Sequence, residues 1–373
     1  MLNGYAHRYA HFFKRDLFEI YFLLFFRALG FGMIGIFLPL FLWNEVGFSL
    51  MKVIFFFVIM SFAFLLSCFA ALKIIPKFGA KHSMVFSYFF LVLGMILIMF
   101  LEKWNLMYVL AASIQGFSFG LFWIGFHIDA AVHSRKKDIA EEAGLISFVS
   151  VLGAVAGPLV GGLILRISSF NILFVIALCL FVISIIPLIF SKDVFAKTDF
   201  EFEVLFKREN LKYFLGYVVQ GIRYTAAGIF WPIFIFMILG SYLSLGWYAT
   251  IVTLIVGIVG YVFGVIADKF GKGLMIKIFA PFEAIFWIMR VFVSGVLGVF
   301  VFGALGNIAG SGIDVPLLAK TYNKKEHIAA FVFFREFSIR IGELICLGVV
   351  MVLGTLTSSF ILTGVSSLVY LLF

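Results

Sequence analysis

Four charged residues interrupt one of the most apolar stretches of the sequence. The stretch is 331–346, FVFFREFSIRIGELIC, and it contains Arg335, Glu336, Arg340 and Glu343. In a helix, Glu336, Arg340 and Glu343 fall on one face, and Arg335 lies about 100° away. Each charge at the centre of a membrane helix costs roughly 2.5–3.5 kcal/mol on insertion scales. The pattern indicates either an ion-pair ladder that locks helices together or a charge relay beside a water-filled cavity.

Other apolar stretches also contain ionisable residues. Outside 331–346 these are Arg27, Arg223, Arg290, Asp129, Glu283 and Asp314. Together with the four above, bases and acids are equal in number, which predicts that most of them are paired. Glu283 and Arg290 are seven residues apart on one helical face, so we expect a structural pair between them. Asp129 and Asp314 occur in similar contexts (HID and GID), and we expect both near a gate.

A further apolar stretch combines an amide, an indole, an imidazole and a carboxylate. These groups belong to Gln115, Trp123, His127 and Asp129. Helical spacing places the first three on one stripe, with Asp129 well off it. Histidine titrates near neutral pH when unperturbed, so His127 is a candidate for proton exchange. A hydrogen-bonded core histidine remains the alternative.

The composition requires that these residues be positioned by membrane helices. The chain has 373 residues, of which 64% are hydrophobic and 13% charged, and its mean hydropathy is +1.17. A soluble domain needs more polar surface, which indicates an all-α polytopic membrane protein within a lipid bilayer. We expect twelve spans, at about 17–42, 50–75, 81–101, 104–130, 143–167, 169–190, 211–240, 244–267, 274–293, 298–319, 327–351 and 354–373.

Lysine and arginine are concentrated in alternate loops between these spans. The positive-inside rule then predicts that both termini lie in the cytoplasm. The net charge of +9 is therefore explained by basic residues that orient the spans in the membrane. We expect no nucleic-acid partner.

The chain contains an internal repeat. Residues 35–42 read GIFLPLFL and residues 228–235 read GIFWPIFI, at an offset of 193 residues. This predicts two six-helix bundles, 1–190 and 211–373, joined by a cytoplasmic linker at 191–210. Two such halves in parallel orientation place a site at their interface near the bilayer midplane.

The loop after the eighth span resembles a signature of the major facilitator superfamily. It reads GVIADKFGK, and the matching residues are Gly264, Asp268, Lys269, Gly271 and Lys272. We expect Gly264 to permit close helix approach and Asp268 to act at a cytoplasmic gate. The equivalent loop of the first half, LKIIPKFGAK, has Pro76 in place of the aspartate, so we expect the second half to supply the gate electrostatics.

The fifth span resembles the antiporter motif of drug–proton exporters in this superfamily. The matching residues are Gly144, Gly153, Gly157, Pro158, Gly161 and Gly162. Ordinary glycine-mediated helix packing explains the same pattern. The fourth span departs from the export families, because Ala112 stands where they carry an arginine before the Gln115–Gly116 pair.

The resemblance implies twelve helices in two pseudo-symmetric bundles and secondary-active transport of a small solute by alternating access. It places Arg27 and Arg223 on helices that line the cavity, where a guanidinium can bind a carboxylate or phosphate. We expect Glu336 or Glu343 to exchange its Arg340 partner for a proton, with protons as the coupling ion. The direction is open between proton-coupled efflux and uptake of an anionic or zwitterionic metabolite.

Other classes of function find little support in the sequence. No HExxH motif is present, and the GxSxG string at residues 116–120 lies within a predicted membrane span and not at the strand-to-helix turn of a nucleophile elbow. We therefore expect no enzyme, with a polytopic membrane enzyme as a remote alternative. Cys68, Cys179 and Cys346 lack metal-ligand spacing, and we expect neither metal nor cofactor. Short loops speak against a receptor. Together with the resemblance, the short loops indicate the plasma (inner) membrane of a prokaryote. We also expect a monomer.

Overall fold

The computed structural model is helical over most of the chain. The residues that it describes are 15–133, 139–190, 193, 195, 207, 210–322 and 328–373, with side-chain surroundings for all of them except 15–20, 131–133, 139–148 and 322. The predicted charges at 1–14, 135–137, 324 and 325, together with most of the linker at 191–210, lie outside this part.

Twelve helices follow one another along the described residues. They are α1 Arg15–Ile34, α2 Leu50–Phe78, α3 Ala80–Met99, α4 Tyr108–His133, α5 Ile139–Ile167, α6 Phe170–Ile189, α7 Leu211–Thr225, α8 Tyr242–Phe270, α9 Lys272–Met289, α10 Val296–Tyr322, α11 Ile328–Leu353 and α12 Thr357–Ser367. Short segments extend α1 (Leu38–Leu40 and π-helical Phe41–Glu45), α7 (π-helical Ala226–Phe230 and Trp231–Leu239), α3 (Phe100–Glu102), α4 (Asn105–Met107), α9 (Arg290–Phe292) and α12 (Leu368–Leu372). The predicted twelve helical segments are confirmed.

Nine helices in the described ranges are long and apolar enough to cross a membrane. The other three are α9, α11 and α12. Helices α9 and α11 each carry at least three charged residues, and α12 with its extension is short. Charge, not length, therefore distinguishes α9 and α11 from the rest.

The helices pack in two six-helix bundles with the same internal order. In the first bundle, α1 packs on α5, α2 and α3 pack on α4, and α3 packs on α6. The second bundle repeats these contacts as α7 on α11, α8 and α9 on α10, and α9 on α12. The bundles meet mainly through α5 with α8 and α2 with α11. The predicted pseudo-symmetric pair of bundles is confirmed.

Matched glycines end the first two helices of each bundle. Gly47 and Gly240 follow α1 and α7 with φ of 72° and 63°, and Gly79 and Gly271 follow α2 and α8 with φ of 97° and 100°. These left-handed conformations are open to glycine at no steric cost, whereas a Cβ would strain them. Gly47 and Gly240 are 193 residues apart and Gly79 and Gly271 are 192 residues apart, so the same turn chemistry recurs within one residue of the repeat offset.

Glycine also sets the distance between the crossing helices α7 and α11. A Cβ on Gly221 would overlap the carbonyl oxygen of Ile339, and one on Gly342 would overlap that of Val218. Backbones that approach this closely gain packing contacts that larger residues prevent.

We predict that Gly221→Ala destabilises the protein and Gly348→Ala does not. Alanine at 221 must push α11 away, and overpacking of this kind costs typically 1–3 kcal/mol. Gly348 lies in α11 with no atom within 4 Å of an added Cβ, where alanine gains about 1 kcal/mol of helix propensity. Thermal unfolding of the purified variants measures both, and equal unfolding temperatures would contradict the close α7–α11 contact.

Candidate functional site

The charged residues of α11 form two separate ion pairs. Arg335 Nη1 donates to Glu336 Oε1, and Arg340 Nη1 donates to Glu343 Oε2. The predicted single ladder is therefore wrong for Glu336, which pairs with Arg335 instead of Arg340. The reason is that the Glu336 carboxylate already binds Arg335. The Arg340 guanidinium lies over the ring of Phe64 on α2, 4.3 Å from its centroid. The predicted Arg340–Glu343 pair is present.

His127 brings the first of these pairs into contact with the other bundle. Its Nε2 lies 3.3 Å from Arg335 Nη1 and 3.6 Å from Glu336 Oε1. All three side chains are buried. The imidazole also stacks on Trp123 of the same helix, with ring centroids 5.4 Å apart. One nitrogen of α4 thus faces both a cation and an anion of α11 across the interface between the bundles.

A second charged cluster lies inside the C-terminal bundle. Arg223 of α7 contacts two carboxylates, with Nε 3.1 Å from Glu283 Oε1 of α9 and Nη2 donating to Asp314 Oδ1 of α10. The expected structural pair between Glu283 and Arg290 is wrong. Arg290 instead donates to the backbone oxygens of Phe302 and Gly303, each at 3.3 Å.

Asp314 receives further hydrogen bonds from α7. Gln220 Nε2 donates to Oδ1 at 2.5 Å, and the Tyr224 hydroxyl lies 3.4 Å from Oδ2. Three side chains of α7, including Arg223, thus bind the Asp314 carboxylate.

Two glycines of α10 make room for the arginines of this bundle. A Cβ on Gly310 would overlap Arg223 Nη1, and one on Gly306 would lie 2.6 Å from Arg290 Nη2. Arg290 also lies over Trp287 and Trp231, 3.7 and 4.6 Å from the ring centroids. One face of α10 therefore fixes two guanidinium groups one helical turn apart.

Arg27 occupies an aromatic environment in the N-terminal bundle. Its guanidinium carbon lies 3.2 Å from the ring centroid of Phe122, 4.6 Å from Phe31 and 5.3 Å from Tyr88. Among the described residues no acid forms an ion pair with it, and its buried Nη1 has no hydrogen-bond partner. Cation–π attraction, worth about 2 kcal/mol or more when desolvated, partly compensates this burial.

The predicted stripe of α4 separates toward different neighbours. Trp123 is partly exposed beside His127, whereas Gln115 is buried and its Oε1 lies close to Gly94 of α3. Asp129 is buried near the end of α4. The structure thus brings His127 to the interface with Trp123 stacked on it, and it places Gln115 inside the N-terminal bundle.

The glycine motif of α5 forms two helix contacts. Gly153, Gly157 and Gly161 approach the backbone of α1. On another face, Gly162 lies against Tyr242 and Leu243, and the Pro158 carbonyl oxygen would meet a Cβ on Gly246 at 2.5 Å. The surroundings of Gly144 lie outside the described residues. The motif therefore packs α5 both within its bundle and against α8 of the other one.

The loop between α8 and α9 is largely open in this structure. The Asp268 side chain is 75% exposed, and Lys272 lies 3.6 Å from it on the following turn. Lys269 lies beside the ring of Phe270. An added Cβ on Gly264 would only reach ordinary contact, 3.7 Å from Val315. The expectation that Gly264 permits an especially close helix approach is wrong.

The loop between α2 and α3 lacks the aspartate of the motif, but a carboxylate from another part of the chain binds there. Asp193, beyond the end of α6, accepts from the backbone N–H groups of Lys81 and His82 at 2.9 Å each. Its side chain is 8% exposed and also contacts the His82 ring. A Cβ on Gly79 would overlap this carboxylate. Asp193 caps the free N–H groups at the start of α3, so a carboxylate also lies at this loop of the first half, where Pro76 replaces the aspartate of the motif.

Sequence reasoning missed Gln220, Tyr224 and Asp193, and it assigned Glu283 the wrong partner. One signal was available, because Gln220 lies at the repeat offset of 193 from Arg27. Nothing in the spacing of α9 shows that Glu283 faces α7. Within the described residues no group of three or more His, Cys, Asp or Glu side chains is arranged to hold a metal ion.

Comparison with known families decides the identity of this fold. The family model of the Major Facilitator Superfamily matches residues 20–212, more than half of the chain. The chain belongs to the major facilitator superfamily. Its fold is accordingly that of a membrane solute transporter. No curated protein matches the sequence.

Solved structures share this fold at low sequence identity. The chain is similar to the human organic anion transporter MFSD10 (TETRAN), with a TM-score of 0.69 and 12% identity over 96% of this chain and 98% of that one. A POT family transporter in complex with a thioalcohol conjugated peptide gives 0.74 and 13%, over 96% and 95%. The E. coli fucose:proton symporter FucP gives 0.66 and 14%, over 96% and 97%.

We predict that Asp193→Ala destabilises the protein and Asp268→Ala does not. Loss of a helix cap costs about 0.5–2 kcal/mol, whereas an exposed ion pair contributes about 0–1 kcal/mol. The two aspartates occupy corresponding ends of the two bundles, so each variant controls for the other. Thermal unfolding in detergent measures the difference, and a larger loss in Asp268→Ala would contradict the capping role of Asp193.

Proposed function

We propose that this chain exports a small solute by proton-coupled secondary transport. The observation that carries the proposal is the contact of His127 with Arg335 and Glu336 across the two bundles. Alternating access requires contacts between the halves that form in one state and break in another. A contact made by titratable groups can link that change to proton binding.

His127 Nε2 can serve as the atom that takes the proton. When the imidazole is neutral, Nε2 accepts a hydrogen bond from Arg335. When Nε2 carries a proton, it repels Arg335 and can donate to Glu336 at the present 3.6 Å separation after a small shift. Protonation thereby exchanges the partners of α11 and alters the contact between the bundles.

Export is the direction favoured by α5. Its glycine pattern resembles that of drug–proton exporters, and Pro158 and Gly162 lie at the contact with α8 of the other bundle. We further propose a monomer in a prokaryotic plasma membrane. The alternation of basic loops favours an orientation with both termini in the cytoplasm.

A direct test is accumulation of a lipophilic cationic dye in an efflux-deficient bacterial host. We predict that the wild-type chain lowers accumulation, and that a protonophore or Glu336→Gln restores it, because the variant removes the charge that a protonated His127 would meet. Glu102→Gln changes an exposed acid and serves as the matched control. Size-exclusion chromatography of each purified variant serves as the control for folding.

Two results would overturn parts of this proposal. Dye export that persists with the protonophore contradicts proton coupling. Equal accumulation with and without the chain contradicts export of lipophilic cations. It would favour the second candidate function, uptake of an anionic or zwitterionic metabolite.

Uptake of an anionic or zwitterionic metabolite is the second candidate, and Arg27 favours it. A buried guanidinium without an acid partner among the described residues retains binding capacity for a carboxylate or phosphate. Arg27 lies in α1, and the residue 193 positions further along the chain is Gln220, which belongs to the Arg223 cluster.

For this candidate we predict that an anionic substrate raises the unfolding temperature of the wild type and not of Arg27→Gln. A ligand at a hundred times its Kd adds about 2.7 kcal/mol of stability. Arg166→Gln, which removes an exposed arginine at the end of α5, should keep the full stabilisation. Equal stabilisation of Arg27→Gln would exclude Arg27 from the binding site.

A further inference from the structure

Helices α5 and α8 form a long contact between the two bundles. A Cβ on Gly162 of α5 would lie 2.9 Å from the carbonyl oxygen of Tyr242, and one on Gly257 of α8 would lie 2.6 Å from Val151 Cγ1. These four residues mark the two ends of the contact, which we call the α5–α8 seam. Along α8 the seam extends for about 20 Å at 1.5 Å per residue.

The seam and the His127 contact lie toward opposite ends of the interface between the bundles. His127 lies near the end of α4 and bonds to Arg335 near the start of α11, whereas Tyr242 is the first residue of α8. Because successive helices run in opposite directions, the end of α4 and the start of α8 are on opposite sides. Alternating access requires that contacts on one side open while those on the other hold.

The hydroxyl of Thr250 enters the backbone of α5 in the middle of the seam. It accepts a hydrogen bond from the N–H of Leu159 at 3.1 Å and donates to the carbonyl oxygen of Val155 at 2.9 Å. In a regular helix the N–H of residue 159 bonds to the carbonyl oxygen of residue 155. Thr250 therefore lies between the two partners of one helical bond, in the turn that contains Pro158. Insertion of a side chain at such a place is a recognised cause of helix kinks.

We propose that Thr250 is a positioning residue of the transport cycle. Its hydroxyl holds the α5–α8 seam closed in one state of the protein and leaves the backbone of α5 in the other state. The inference rests on the alternating access of the proposed function, and it is independent of the coupling ion, the direction and the solute.

The backbone of α5 keeps its hydrogen bonds when Thr250 leaves. The N–H of Leu159 and the carbonyl oxygen of Val155 then bond to each other, as in any regular turn of an α-helix. An unsatisfied backbone group in apolar surroundings would be costly. The exchange of partners avoids that cost on the α5 side of the seam.

The Thr250 hydroxyl also has a replacement partner, in its own helix. Thr225, Thr321 and Thr363 each donate to the carbonyl oxygen four residues earlier, at 2.9, 3.1 and 2.7 Å. Thr250 can form the same bond with the carbonyl oxygen of Gly246 once it has left α5. Every polar group of the contact thus has a partner in both states, which lets the seam open and close reversibly within the membrane.

A second hydroxyl of α8 binds the N-terminal bundle at the end of the seam. Tyr242 accepts from Asn44 Nδ2 at 2.8 Å and donates to Glu45 Oε1 at 2.7 Å. Asn44 and Glu45 are exposed, so water can replace these bonds when the bundles separate. Thr250 is partly buried about two turns further along α8, where the helices themselves supply the replacement partners.

The test measures the distance between two spin labels by pulsed electron paramagnetic resonance. Asn105→Cys, between α3 and α4, and Ser294→Cys, between α9 and α10, place one exposed label on each bundle at the Tyr242 end of the interface. The full chain is used in lipid nanodiscs without solute or proton gradient, with its native cysteines replaced by alanine. A short distance reports a closed seam and a long distance an open one.

We predict that Thr250→Val raises the ratio of long to short distances about tenfold, because the closed state loses two hydrogen bonds of ordinary strength. Thr250→Ala should give the same shift, and it replaces the valine variant if that variant fails to fold. Thr250→Ser keeps the hydroxyl and should retain the wild-type ratio. Thr253→Val is the matched control, since within the described residues the Thr253 hydroxyl bonds to no group of the other bundle.

Several outcomes would overturn the role of Thr250. One is an unchanged ratio in Thr250→Val and Thr250→Ala, even if their unfolding temperatures fall, since that indicates packing alone. A shift in the valine variant only would assign the effect to the added methyl group instead of the lost hydroxyl. An equal shift in Thr250→Ser or Thr253→Val would contradict the hydrogen bonds as its cause. Absence of dye export together with the tenfold shift would contradict the proposed export and leave the role of Thr250 intact.

Discussion

A charge inside a lipid bilayer is tolerated only where the protein supplies its partner, and this constraint organises the C-terminal bundle. Each such charge costs roughly 2.5–3.5 kcal/mol before it is paired. Arg223 therefore draws together α7, α9 and α10, and Arg335 with Glu336 draws α11 toward His127 of α4. These ionic contacts select which helices become neighbours. Apolar packing in lipid does not make that selection, because the apolar surfaces of the helices resemble one another.

Small residues make these ionic contacts possible. Between lipid-embedded helices no hydrophobic force drives association, so close packing carries much of the stability. Gly221 and Gly342 bring α7 and α11 together, and Pro158, Gly162 and Gly246 bring α5 and α8 together. The first of these contacts lies within a bundle and the second between bundles. Glycine thus sets the packing distance both within a bundle and between the two bundles.

The helices and their duplication could be predicted from the sequence because the bilayer imposes them. Length, hydropathy and the repeat of GIF-x-P at 35–39 and 228–232 each reflect a physical requirement that acts locally. Partners could not be predicted in the same way. Asp193 caps α3 from more than a hundred residues away, and the pairing of Glu283 with Arg223 depends on which helices become neighbours. Spacing along one helix predicted Arg340 with Glu343 correctly and Glu283 with Arg290 wrongly, because a long arginine side chain can turn to another helix.

Gly306 and Gly310 carry a consequence for how this chain can vary among its relatives. Each occupies the space opposite an arginine head group, and neither can gain a methyl group while that arginine stays in place. In a relative without the guanidinium at position 223, the empty volume would favour a larger residue at position 310. The acids at 283 and 314 would then lack the cation that binds both of them. Positions 223, 283, 310 and 314 should therefore change as a set.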